Sequence, residues 1–230
     1  MSQFKLKSTT KRLFQRVALH RGEQSIVLAS TGRAGSTLLF EAIVRSISQT
    51  YHAGLRWPIH RICQDSAWNL SALAPVPGVV YKTHDLPWAA HEPKNTRVIF
   101  VFGSAIETVR SVQQAWEDLA YAFVESHFNH MKATGPVEAL ADRDVLGLET
   151  KIDAWLSHDS VPTLCIKYES LWEKESTISD FLNLDISLPE QRQRSEKTID
   201  PKIDAKIVET YSPIERKIDR LPAVQIKPGA

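Results

Sequence analysis

Cysteine is scarce in this chain. Cys63 and Cys165 are the two present in 230 residues, too few for a disulfide framework or a zinc quartet, and they read as reduced side chains in or near the core of a cytoplasmic protein. Long apolar runs are missing as well: a run such as Val98 to Phe102 falls far short of the roughly 20 residues that span a bilayer. Met1 to Arg16 carries Lys5, Lys7, Lys11 and Arg12 with no apolar stretch of signal-peptide length, so secretion is not indicated. An excess of one charge is also lacking. Lys plus Arg number 28 against 27 Asp plus Glu, which argues against a broad nucleic-acid surface, because sequence-independent binding needs many uncompensated cations. Any basic site is therefore local. The chain has no internal repeat and no low-complexity tract.

What is present is the length and apolar content to bury one substantial core, so the expectation is a single domain over residues 1–230, with 1–20 and 222–230 as candidate flexible tails. Gln24 to Ser30 is a short apolar run that stops at a small-residue loop, and Ser36 to Ile47 places Leu38, Leu39, Ala42, Ile43 and Ile47 at helical spacing. Gly78 to Lys82, Arg97 to Phe102 and Thr163 to Tyr168 are continuous rather than alternating, as parallel strands covered on both faces are. Ala105 to Trp116 and Val145 to Leu156 repeat at helical spacing. Strands alternating with helices imply an α/β layered fold with a parallel sheet. Tyr51 to Pro77 reads as a long irregular excursion, and the chain after Ser187 as charged and helix-like.

Ser30-Thr31-Gly32-Arg33-Ala34-Gly35-Ser36-Thr37 lies where the first strand hands over to a helix. Backbone N–H groups and the helix N-terminus converge on an anion in that geometry. Gly32 and Gly35 allow close approach, Ser36 and Thr37 supply hydroxyls, and Arg33 adds a permanent charge whose fork suits phosphate or sulfate oxygens. A plain βα turn with Ser36 as N-cap is the alternative. The pattern GxxxxGK[ST] is not met, since Ser30 stands at the first Gly position and Ser36 at the Lys position. A second group of interest, Lys82-Thr83-His84-Asp85-Leu86-Pro87, follows a strand at the edge where ligands bind in open α/β sheets. His84 suits general-base work on a hydroxyl, and Lys82 suits charge neutralisation on a transferred group.

Arg33-Ala34-Gly35-Ser36-Thr37 resembles the donor-binding loop of the sulfotransferase family, usually a Lys or Arg followed by Ser-Gly-Thr-Thr. Lys82-Thr83-His84 followed by Leu86-Pro87 resembles the family's catalytic segment, and Leu164 to Leu171 its strand-to-helix Tyr-Glu-Asp-Leu segment. The resemblance spans roughly residues 24 to 174. It implies a three-layer α/β/α P-loop fold with a mainly parallel central sheet, and transfer of a sulfuryl group from the co-substrate 3′-phosphoadenosine-5′-phosphosulfate to a hydroxyl acceptor, a small molecule or a glycan. On it, residues 31–37 (Thr31, Gly32, Arg33, Ala34, Gly35, Ser36, Thr37) and Ser111 bind the donor, His84 is the base, and Arg33 and Lys82 stabilise charge. No metal is expected.

The family's third segment begins with an Arg that, with a Ser eight residues on, binds the 3′-phosphate. Here Ser111 matches and Gly103 replaces the Arg. Arg110 is a helical neighbour of Ser111 that points elsewhere, leaving Arg192, Arg194 and Lys197 as substitute cations or as a solvated helix face. Gly103 also admits two other readings: a kinase-like phosphotransferase using ATP, with Thr37 and Asp85 as its nearest metal-ligand candidates, and a binding protein that keeps the anion loop without turnover. Acceptor specificity is expected from 51–77, 88–92 and 116–131, where Trp57, Trp68, Trp88, Trp116, His60, His127 and His130 serve either as contacts or as core. Tyr168 and Glu169 read as structural.

Overall fold

The computed structural model describes residues 24–52, 61–88, 93–118, 121–191 and 198–229, together with Lys11, Leu13 and Gln15; at 51–52, 117–118 and 121–123 it describes the backbone alone. Among these residues the strands form one six-stranded sheet. β1 (Ser25–Ser30), β2 (Gln64–Ser66), β3 (Val80–Thr83), β4 (Thr96–Phe102) and β5 (Thr163–Lys167) run parallel, and β6 (Val224–Lys227) closes the edge antiparallel to β5, in the order β2-β3-β1-β4-β5-β6. The helices are α1 (Ser36–His52), α2 (Ala105–Asp118), α3 (Tyr121–Met131), α4 (Leu148–Ser157), α5 (Glu175–Leu182) and α6 (Pro201–Arg220). The chain is thus α/β with a mostly parallel sheet.

β1 is buried along its whole length, which is why it reads as an unbroken apolar run: central parallel strands are covered on both faces. Parallel register then sets the site. Ala29 lies beside Thr83 and Ser30 beside Val101, so the residues that follow β1, β3 and β4 emerge together at one edge. α6 fixes the angle of α2 against that edge. The Glu215 carboxylate accepts from the N–H groups of Ala105 and Ile106 at 2.8 and 3.2 Å, a cap on the positive end of α2. Asp204 takes a two-pronged contact from Arg110 at 2.6 and 2.7 Å, so Arg110 does point away from the loop.

Several expectations change in detail. The segment 222–230, read as a flexible tail, contributes β6: Ala223 C=O accepts from Lys167 N, and Lys227 pairs with Thr163. A four-residue strand is too short to show a period, and it exists because β5 offers it an open edge. Among the described residues of 51–77 are β2 and a 3₁₀ turn at Leu70–Ala72. The helix expected from Val145 begins at Leu148, because Gly147 breaks the chain with φ +63. α3 was not expected at all. The cations Arg192, Arg194 and Lys197, and Trp57 and His60, lie outside the described residues.

Candidate functional site

The loop between β1 and α1 turns through left-handed backbone at three positions: Gly32 at φ +80, Arg33 at φ +48 and Gly35 at φ +69. For Arg33 this is a sparsely populated conformation that the surroundings must impose. At Gly35 a Cβ would stand 2.3 Å from the Tyr168 ring, so any side chain there would have to displace that ring. Arg33, Gly35, Ser36 and Thr37 line a cavity of about 860 Å³, whereas Thr31, Gly32 and Ala34 lie buried beneath the loop. The Thr31 hydroxyl is sealed from solvent without a hydrogen-bond partner.

The other expected residues meet this loop. Arg33 Nε donates to Ser111 Oγ at 2.9 Å, joining the loop to α2, and Lys82 Nζ donates to Thr37 Oγ1 at 2.6 Å. His84, Lys82 and Ser111 all line the same cavity. Burial pulls both cations below their usual range; for Lys82 this is opposed by the negative charge of Glu41, which also lines the cavity.

His84 is 6% exposed. Its Nδ1 lies 2.9 Å from Ser30 Oγ and 3.1 Å from the Ser30 carbonyl oxygen. A carbonyl only accepts, so this network assigns the proton to Nδ1 and leaves the lone pair on Nε2, the tautomer a base requires. Burial first, and the neighbouring His130, His127 and Lys82 after it, push the His84 pKa down to about 3 against the help of the Ser30 carbonyl. The ring centroids of His130 and His127 stand 4.8 and 5.9 Å away.

Asp85 has a structural task. Its carboxylate accepts from the N–H groups of Leu70 and Leu86 and pairs with Lys132, and it stands outside the residues that line the cavity. Of the two nearest candidates of the metal-dependent reading, Thr37 lines the cavity with its hydroxyl accepting from Lys82, and Asp85 does not line it. Among the described residues no cluster of three His, Cys, Asp or Glu side chains could hold a metal ion.

Sequence reasoning missed three contributors. Tyr168 follows β5 directly, packs on Gly35 and lines the cavity, with Trp172 edge-on to it at 5.6 Å. Glu41 lies in α1 one turn beyond Thr37. The signal for Tyr168 was its place just past a parallel strand, at the edge already singled out for His84. Gly103, where the family has an Arg, faces Tyr168 and Glu169: a Cβ there would meet Tyr168 Cβ at 3.2 Å and a Glu169 carboxylate oxygen at 3.4 Å. Of the tryptophans, Trp88 is buried against Trp155 and belongs to the core, Trp116 packs partly buried on it, and Trp68 stands exposed with its ring stacked on His130 at 4.2 Å.

No helix among the described residues is long and apolar enough to cross a membrane. Comparison of the chain with protein-family models, and with curated proteins, finds no match.

Proposed function

We propose that the chain is a sulfotransferase with a three-layer α/β/α P-loop fold, moving a sulfuryl group from 3′-phosphoadenosine-5′-phosphosulfate to a hydroxyl acceptor. The observation that carries this reading is the convergence of Arg33, Lys82, Ser111 and His84 on one cavity, from three separate segments at a single sheet edge. The residues fit an anionic nucleotide. Three left-handed positions shape the loop, and the Arg33 and Lys82 cations border the cavity beside Ser36 and Thr37. Tyr168 and Trp172 add an aromatic wall suited to a nucleobase.

In this reading Arg33 and the loop amides hold the 5′-phosphosulfate and Ser111 positions the Arg33 fork. The bond between sulfur and the 5′-phosphate oxygen breaks as the acceptor oxygen bonds to sulfur, and the acceptor proton passes to His84 Nε2. Lys82 neutralises charge on the moving group. A base with a pKa of about 3 is weak in the empty cavity. An anion seated beside it offsets the repulsion from Lys82 and favours the protonated ring, which raises its basicity when donor is bound.

A thermal-unfolding series tests the donor assignment, because a ligand stabilises the folded state according to its affinity and concentration. 3′-Phosphoadenosine-5′-phosphate is expected to raise the melting temperature more than ADP or ATP with Mg²⁺. Preference for ATP would support the kinase reading that Gly103 keeps open, and no shift with any of them would support a degenerate anion loop.

A further inference from the structure

α3 presents two imidazoles to the cavity one helical turn apart, and the two stand in different surroundings. His130 is held between Trp68 and the His84 ring. His127 lies against the loop itself: a Cβ on Gly32 would stand 3.2 Å from His127 Cε1 and 3.4 Å from its Nε2. Like His130 Nε2, that nitrogen is buried and has no hydrogen-bond partner; what sets His127 apart is its place against the loop. Buried polar atoms are paired in native proteins with few exceptions, and an unpaired one beside an anion loop is a place where a ligand can supply the partner.

Charge favours a ligand rather than a structural vacancy. Arg33 is the strongest charged influence on His127, and together with burial it holds the ring neutral, with a pKa of about 4. A third cation beside Arg33 and Lys82 would be repelled by both. A neutral imidazole adds a hydrogen bond without adding repulsion, and hydrogen bonds to charged oxygens are the strong ones.

We propose that His127 is a direct ligand of the donor, its neutral Nε2–H donating to an anionic oxygen of the group seated in the Gly32-Arg33 loop. The proposal rests on the reading of that loop as the donor site. It assigns α3 to donor binding in addition to any part it plays toward the acceptor.

The test is calorimetric titration of the full chain with 3′-phosphoadenosine-5′-phosphate and, as an uncharged probe, with adenosine. Wild type is compared with His127→Ala, His127→Gln and Arg33→Ala, each checked for an unchanged circular-dichroism spectrum. His127→Ala is expected to weaken the nucleotide by about tenfold while leaving adenosine unchanged, as loss of one charge-assisted hydrogen bond does. His127→Gln, which keeps an N–H of similar reach, is expected to recover most of that loss and serves if the alanine variant does not fold. Wild-type affinity in His127→Ala, with Arg33→Ala impaired, overturns the proposal and leaves the donor site standing. Equal loss in the alanine and glutamine variants overturns it by showing that the ring only packs. If wild type binds no nucleotide, the donor reading falls and this proposal with it.

Discussion

Three histidine rings and a lysine share one wall of the cavity, so protons are costly there. In the unfolded chain each imidazole titrates near 6.5; in the folded protein burial holds His84 to about 3 and His127 to about 4. Both shifts are downward, so the folded state carries fewer protons than the unfolded one between those limits, and stability falls as pH falls through that window. At pH 5 each ring costs about 2 kcal/mol relative to pH 7. Urea unfolding from pH 7 to 5 should show this decline, and His84→Asn should flatten it. A wild-type profile without slope would mean that the rings are hydrated.

On the proposed function, His84 is also the base. His84→Ala should lower kcat by about 10²–10⁴-fold, the range general-base catalysis supplies, while leaving nucleotide affinity near wild type. Glu41→Gln is the informative comparison, because Glu41 is the carboxylate in the cavity whose charge reaches Lys82. Retained turnover in Glu41→Gln supports His84 as proton acceptor. Retained turnover in His84→Ala, with loss in Glu41→Gln, would transfer that role to the carboxylate.

At the scale of elements, the β1–α1 loop is held from above by a turn that follows β5. Gly35 combines left-handed backbone with a Tyr168 ring where a side chain would go. Gly35→Ala should therefore cost about 1–3 kcal/mol from backbone strain alone, with a further loss from the clash, and should abolish stabilisation by nucleotide. Adding Tyr168→Ala frees the space but leaves the φ, so the double variant should recover part of the stability and the two effects should not sum. Simple additivity in melting temperature would show that the ring moves aside freely. This contact also marks where sequence reading stops. The loop motif and the Lys82–His84 pair were legible because each sits within a few residues of a strand end with its own apolar signature, whereas Ser111 was singled out only by the spacing of the family it resembles. The pairing of Gly35 with Tyr168 depends on β4 lying between β1 and β5, and nothing local to either residue encodes that order. α3 was missed for a related reason. Its apolar positions do not form one clean stripe, since one side carries His127 and His130 into the cavity.

For the whole molecule, the C-terminal segment ties the sheet edge to the site. β6 pairs with β5 from Thr163 to Ile166, and Ala223 accepts from the N–H of Lys167, the residue before Tyr168. Lys227 is buried, and its ammonium caps the end of α4 by donating to the carbonyls of Trp155 and His158. Prolines at 222 and 228 make this stretch look like a tail in sequence; the strand between them is specified by its partner. Ending the chain at Leu221 removes the cap and exposes the edge of β5, an unpaired row of N–H and C=O groups that invites association. Lys227→Met removes the ammonium alone and should cost about 1–3 kcal/mol, the penalty for buried carbonyls left unpaired. In a chain of this size that corresponds to a melting temperature lower by roughly 2–12 °C. The truncated chain should lose more than the point variant, should aggregate on heating, and should bind nucleotide less tightly, because Tyr168 loses the strand that steadies its approach to Gly35. If truncation leaves both melting temperature and nucleotide affinity at wild-type values, β5 is the working edge of the sheet and the last nine residues hold nothing in place.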